Sequence, residues 1–211
     1  GVRVKAEFVL DYDVIAVQQP QHVYVLARIQ AESAPESDDR IPLNLSVVID
    51  RSGSMGGDKL EYVRQAASFL VQRLGAQDRL SLVSYSDDVR IDAPAGPVIE
   101  KDRLVGLIKK LRAGGMTNLS GGWLQGCELI AGEMSEDVER QVNRVLLLSD
   151  GLANRGVTQA EKLAGMARQK RAEGVTTTTL GVGLQFDEDL MTQLASEGGG
   201  AFYFIDEPGR L

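Results

Sequence analysis

The stretch "VVIDRSGSMGG", residues 47–57, runs from apolar residues into Asp50, Ser52 and Ser54 and then into paired glycines. Two further segments carry similar oxygens: "RVLLLSD" (144–150) ends on Asp150, and "GGMTNLSGG" (114–122) holds Thr117 between glycines. Taken singly, each is an ordinary turn or helix cap, because Asp, Ser and Thr oxygens readily bond to nearby backbone N–H groups. Taken together they offer two carboxylates and three hydroxyls, with no His or Cys close by in sequence. Such hard oxygen donors suit Mg²⁺ or Mn²⁺, with Ca²⁺ also possible, and do not suit zinc. Gly53, Gly56, Gly57, Gly115, Gly121 and Gly151 flank these donors and permit tight turns and close backbone approach.

Nucleophile and phosphate chemistry fit less well. A haloacid dehalogenase-type phosphatase needs a second Asp two residues after the first, where this chain has Ser52. "GSMGGDKL" lacks the Gly-Lys-[Ser/Thr] of a Walker phosphate loop. The single histidine, His22, lies far along the chain from the oxygen cluster, which argues against a Ser-His-Asp triad. Metal-assisted hydrolysis would have its cation but no base or nucleophile beside it, so no enzymatic activity is expected.

These donors must be positioned by the elements around them. From about residue 44, apolar runs alternate with segments of helical period, the pattern of a parallel sheet with crossover helices. "NLSVVID" (44–50), "RLSLVSYS" (79–86), "RVLLLSD" (144–150), "VTTTTLGVG" (175–183) and "AFYFID" (201–206) read as strands buried on both faces. "VRIDAPAGPVI" (89–99) is interrupted by Pro94 and Pro97 and suits an antiparallel edge strand. Helical periodicity links Leu60, Val63, Ala67, Leu70, Val71 and Leu74; a second stripe runs from Leu104 to Leu111 and stops at Gly114 and Gly115. A third helix follows Ser120 through Trp123, Leu124, Cys127 and Ile130. A fourth begins at "TQAE", where Thr158 and Glu161 have capping-box spacing, and a fifth carries Leu190, Met191, Leu194 and Ala195. Cys127 and Trp123 read as core, Phe202 and Tyr203 as core or sheet residues, and Thr176–Thr179 as β-favouring strand. In an open α/β sheet, ligands gather at the carboxyl ends of the strands, where Asp50 and Asp150 stand.

Residues 1–41 differ from the rest: "VRVKAEFVL" and "HVYVLARIQ" are strand-like with no helix between them, and "AESAPESDDR" (31–40) reads as an acidic linker. Two strands alone are marginal in water, so this β appendage needs a surface, and its open edge could pair with a second copy as a homodimer. The chain has 211 residues, 43% hydrophobic and 25% charged, which is globular composition. A net charge of −7 argues against nucleic acid and anionic membranes as partners. No apolar run approaches the roughly 18 residues of a membrane span, and the first residues lack the layout of a signal peptide. The single cysteine forbids an intrachain disulfide and leans slightly toward a reducing, cytoplasmic compartment, with the cell surface or periplasm open if targeting segments lie outside this chain.

"DRSGSM", "GGMTNLSGG" and "LLLSDG", in that order, resemble the von Willebrand factor A (integrin I-domain) family at its metal-ion-dependent adhesion site. The resemblance covers about residues 42–206 and implies a doubly wound, six-stranded, mainly parallel α/β sheet flanked by helices. Counted from "NLSVVID", the implied strand order is 3-2-1-4-5-6, with one antiparallel edge strand. It further implies that Ser52, Ser54 and Thr117 coordinate through hydroxyls while Asp50 and Asp150 act partly through ordered water. The exposed coordination position would take an Asp or Glu of a protein partner. Arg51, Met55, Met116, Asn118, Asn154 and Arg155 are expected to rim the ion by loop position. The implied function is a metal-dependent adhesion or assembly module; the alternative is a scaffold subunit, such as a partner of an AAA+ machine, that does without the metal. The N-terminal strands resemble those of bacterial members in which the A domain interrupts a β-sandwich, which implies further strands outside this chain.

Overall fold

The computed structural model describes residues 4–10, 25–31, 40–135, 141–183 and 186–205. They fall into two units, residues 1–40 and 41–211. In the first, β1 (Val4–Leu10) pairs antiparallel with β2 (Val25–Ala31), with Phe8 opposite Ala27. Lys5, Glu7 and Val9 are exposed along one side of β1, as strand alternation requires. His22 and most of the expected linker lie outside the described residues.

The second unit is a six-stranded sheet in the order β5-β4-β3-β6-β7-β8. Its strands are β3 (Leu43–Asp50), β4 (Arg79–Tyr85), β5 (Val89–Pro97), β6 (Val142–Ser149), β7 (Thr176–Val182) and β8 (Gly199–Ile205). All neighbours run parallel except β4 and β5, which pair antiparallel with register shifts opposite Leu82. The edge position of β5 is where its prolines remove no interior ladder bond. Counted from β3, this is the order and the single antiparallel pair that the family resemblance implies.

Among the described residues, helices α1 (Asp58–Arg73), α2 (Lys101–Lys110), α3 (Leu119–Ala131), α4 (Ala160–Ala172) and α5 (Glu188–Glu197) cover the sheet. Successive β3 side chains point to opposite faces. Val47 and Ile49 pack with Leu60, Val63 and Ala67 of α1, while Val48 packs with Trp123, Cys127 and Ile130 of α3. The two apolar layers explain why the parallel strands read as nearly continuous hydrophobic runs.

Two helix boundaries differ from expectation. The second helix ends at Lys110, and Leu111 is already extended at φ −55°, ψ 145°. The glycines at 114 and 115 therefore belong to a connection that reaches toward Asp50, because the Gly114 N–H donates to the Arg51 carbonyl at 2.9 Å. The fourth helix begins at Ala160 with Gln159 as its N-cap, without a side-chain cap bond, so Thr158 and Glu161 form no capping box.

Candidate functional site

The strand order reverses between β3 and β6, and the carboxyl ends of these two neighbours open the crevice in which doubly wound sheets hold ligands. Asp50 is the last residue of β3, and Asp150 follows the last residue of β6. Both are fully buried. Asp50 Oδ1 accepts the Ser52 N–H at 2.8 Å, a local turn that carries the chain off the strand. A single 3-10 turn, Gly53–Met55, follows and delivers the chain to α1. Within it the Ser52 and Ser54 hydroxyl oxygens lie 3.0 Å apart; Ser52 is buried and Ser54 exposed.

The Thr117 loop is fastened on both sides. The Gly53 N–H donates to the Gly115 carbonyl at 2.9 Å, which pairs with the Gly114–Arg51 bond to clasp it against the β3–α1 loop. Gly115 has φ 83°, a left-handed conformation that favours glycine, and a Cβ there would have to displace the Asp87 carboxylate. On the other side, the Thr117 N–H donates to Asn154 Oδ1 at 2.8 Å, and its carbonyl accepts the N–H groups of Asn154 and Arg155 at 3.2 Å each. The three loops that carry the expected ligands are thus joined by backbone bonds, and Thr117 itself is 2% exposed.

Asp50 Oδ2 accepts the Ser149 hydroxyl at 2.6 Å and the Tyr85 hydroxyl at 3.3 Å. Burial raises the Asp50 carboxyl above its ordinary value, the bonds from Ser149 and Ser52 oppose that rise, and the charge of Asp150 adds to it. Tyr85 is pushed well above 10.0, chiefly by its own burial and then by Asp50, so it remains a neutral donor. Asp150 is treated differently: Lys59 Nζ lies 3.0 Å from Asp150 Oδ2, while the Leu152 N–H reaches Oδ1 at 3.3 Å. Among the described residues there is no group of three or more His, Cys, Asp or Glu side chains placed to hold a metal, so a cation here would depend on hydroxyls.

The expected rim is partly corrected. Met55 is fully buried in the apolar layer under α1, because the 3-10 turn points it inward. Arg51 is 8% exposed and paired with Asp88 on the β4–β5 loop, where Arg90 and Arg51 hold the Asp88 carboxyl well below its ordinary value. Asn118 is the N-cap of α3, its side chain accepting the Gly121 N–H at 3.1 Å. Met116 is 50% exposed, Asn154 and Arg155 are exposed, and Arg155 makes a 3.4 Å pair with Asp87. Sequence reasoning missed Ser149, Tyr85 and Lys59. Lys59 did leave a signal, a cation in the first turn of a helix whose dipole disfavours it there.

A switch-point crevice lined by two buried carboxylates and clustered hydroxyls defines a class of open-sheet domain with a hard-donor ligand site. Residues 44–210 match the model of the von Willebrand factor type A domain, and the chain belongs to that family. Its members are typically protein-interaction or adhesion modules. The chain is 32% identical over 185 residues to the uncharacterized protein YfbK of Escherichia coli (strain K12), covering 86% of this chain and 32% of that one. It is 28% identical over 203 residues to inter-alpha-trypsin inhibitor heavy chain H2 of Sus scrofa, covering 93% of this chain and 22% of the relative. The chain therefore spans a third or less of the length of these relatives. Among solved structures, proximal thread matrix protein 1 of the mussel byssus, described with a zinc occupied MIDAS motif, shares the fold. The TM-score is 0.65 at 20% identity, over 80% of this chain and 45% of the mussel chain. No described helix is long and apolar enough to cross a membrane.

Proposed function

We propose that this domain is a metal-dependent protein-binding module: Asp50, Ser52, Ser54, Thr117 and Asp150 hold a divalent cation whose open position takes an Asp or Glu of a partner protein. The observation that carries the reading is the 3.0 Å separation of the Ser52 and Ser54 oxygens. The two hydroxyls are hydrogen-bonded at this distance, which is also the separation of adjacent ligands of an octahedral ion with bonds of about 2.1 Å, so they could take Mg²⁺ or Mn²⁺ without moving apart. The donor chemistry agrees, being all oxygen with two formal negative charges. Hydroxyls complete the set without adding further negative charge, so an open position can still take an incoming carboxylate. Met116, Asn154 and Arg155 are the exposed residues beside Thr117 and Asp150 that could contact that partner.

A metal-free scaffold is the competing reading, favoured by the pairing of Lys59 with Asp150, which compensates one carboxylate without a metal. Thermal unfolding separates the two. Mg²⁺ or Mn²⁺ is expected to raise the melting temperature of the wild type by several degrees, about 1–3 kcal/mol at saturating metal. Asp50→Ala is expected to abolish the rise. Equal shifts in both proteins would overturn the ligand assignment, and no shift in the wild type would favour the scaffold. Capture of a partner in Mg²⁺ with release by chelator would then identify the acidic ligand.

A further inference from the structure

Lys59 lies at the second position of α1, where its ammonium opposes the positive end of the helix dipole. Its stem runs over Gly183, just past the end of β7; a Cβ at Gly183 would stand 2.7 Å from Lys59 Cε and 3.1 Å from Cγ. A side chain that would otherwise lose several rotamers is held along its length by packing, and its head reaches the Asp150 carboxylate. The pair is asymmetric in exposure, 22% for the lysine side chain and none for the aspartate. The nearby guanidiniums of Arg51 and Arg155 are each paired with a carboxylate of the β4–β5 loop, Asp88 and Asp87. Among the described residues Asp50 receives only neutral donors, and Lys59 is the cation placed against the site carboxylates.

We infer that Lys59 is a positioning residue and tethered counter-cation: it would share Asp150 with the metal, lower the site's affinity for the metal, and leave the loaded site with a net positive charge that selects an anionic ligand at the open position. The inference rests on the metal reading above. Two carboxylates would exactly offset a divalent ion; the added ammonium leaves one positive charge for a carboxylate to neutralise, in a setting where screening by water is reduced. Before metal arrives, the same ammonium limits repulsion between the buried aspartates. Lys59 thus holds Oδ2 at 3.0 Å while the Leu152 N–H reaches Oδ1 at 3.3 Å, which fixes the carboxylate's orientation.

The test compares the wild type with Lys59→Met and Lys59→Gln, which remove the charge, and Lys59→Arg, which keeps it. Each is titrated with Mn²⁺ by calorimetry; the loaded proteins are then titrated with acetate while water-proton relaxation reports displacement of metal-bound water. The neutral variants are expected to bind Mn²⁺ about tenfold more tightly and to need about tenfold more acetate, the scale of one nearby charge in partly screened surroundings. Lys59→Arg is expected to stay within about twofold of the wild type in both titrations. Unchanged or weaker Mn²⁺ binding in both neutral variants would overturn the inference while leaving the metal site standing. A wild type that binds no Mn²⁺ would instead overturn the metal reading, and this inference with it.

Discussion

Asp50 and Asp150 end neighbouring strands and are equally buried, yet the fold compensates them by different means. Asp50 is surrounded by neutral donors: the Ser52 N–H at 2.8 Å, the Ser149 hydroxyl at 2.6 Å and the Tyr85 hydroxyl at 3.3 Å. Asp150 is given a full opposite charge, Lys59, whose own head is partly in water. Dipoles fix the position of a carboxylate but leave its charge for a cation to satisfy; an ion pair removes the charge before any metal arrives. On the metal reading proposed above, the β3 end would be the side of the crevice that most needs a cation, and the β6 end the side that tolerates its absence.

The sharpest way to break this contrast is to neutralise each aspartate in protein stripped of metal. Asp150→Asn removes the carboxylate charge that Lys59 faces at 3.0 Å and is expected to cost about 2 kcal/mol. That is less than the roughly 3–5 kcal/mol of a fully buried broken pair, because Lys59 is partly exposed. Asp50→Asn leaves no charge stranded. Its carboxamide oxygen can still accept the Ser52 N–H, and the amide can donate to hydroxyls that are free to rotate. It is expected to be neutral or stabilising. Urea unfolding of the two variants checks this, and equal losses would mean that the two ends are not differently compensated.

Part of this contrast was legible in the sequence and part was not. The edge position of β5 and the apolar stripes of the helices follow from local periodicity and from the placement of Pro and Gly, whereas the strand order followed only from the family resemblance. Asp50 and Asp150 could be placed at strand ends by the same periodicity. Met55 and Arg51 could not be placed, because a 3-10 turn decides which side chains of "DRSGSM" face outward, and period alone does not foresee that turn. Lys59 and Asp150 are 91 residues apart, and Ser149 and Asp50 are 99 apart, so nothing local marks either pair. The end of α2 was misread because Gly114 and Gly115 look like a helix stop, whereas they are the clasp that brings Thr117 to the crevice.

A smaller effect concerns the pH dependence that Asp50 contributes. The folded-state value for Asp50 is raised above its ordinary 3.8, chiefly by burial. A raised carboxyl means that the folded protein holds the proton more tightly than the unfolded chain. Its stabilising contribution is complete below the unfolded value and is lost as pH rises through the folded one. Metal-free wild type is therefore expected to lose stability relative to Asp50→Asn as pH climbs from about 4 toward neutrality, and the two curves should converge in acid. Chemical unfolding at a series of pH values checks this. A gap that widens toward acid would show that the hydrogen bonds from Ser149 and Ser52 outweigh burial.

The smallest effect concerns how firmly Asp50 is aimed. Tyr85 pairs with Asp50 across the β3–β4 register, and its ring lies so close to α3 that a Cβ at Gly122 would stand 2.3 Å from it. Tyr85→Phe keeps that packing and removes only the hydroxyl. The lost bond is long at 3.3 Å, and Ser149 still donates to the same oxygen at 2.6 Å. A cost of about 0.5 kcal/mol is expected, at the low end for a neutral hydrogen bond. In a double-mutant cycle with Asp50→Asn, most of that cost should appear as coupling between the two sites. The parallel cycle of Tyr85→Phe with Asp150→Asn should show almost none, because the phenol donates only to the aspartate that has no lysine. Coupling of similar size in both cycles would mean that the hydroxyl supports the crevice as a whole, and the separate roles of its two carboxylates would merge.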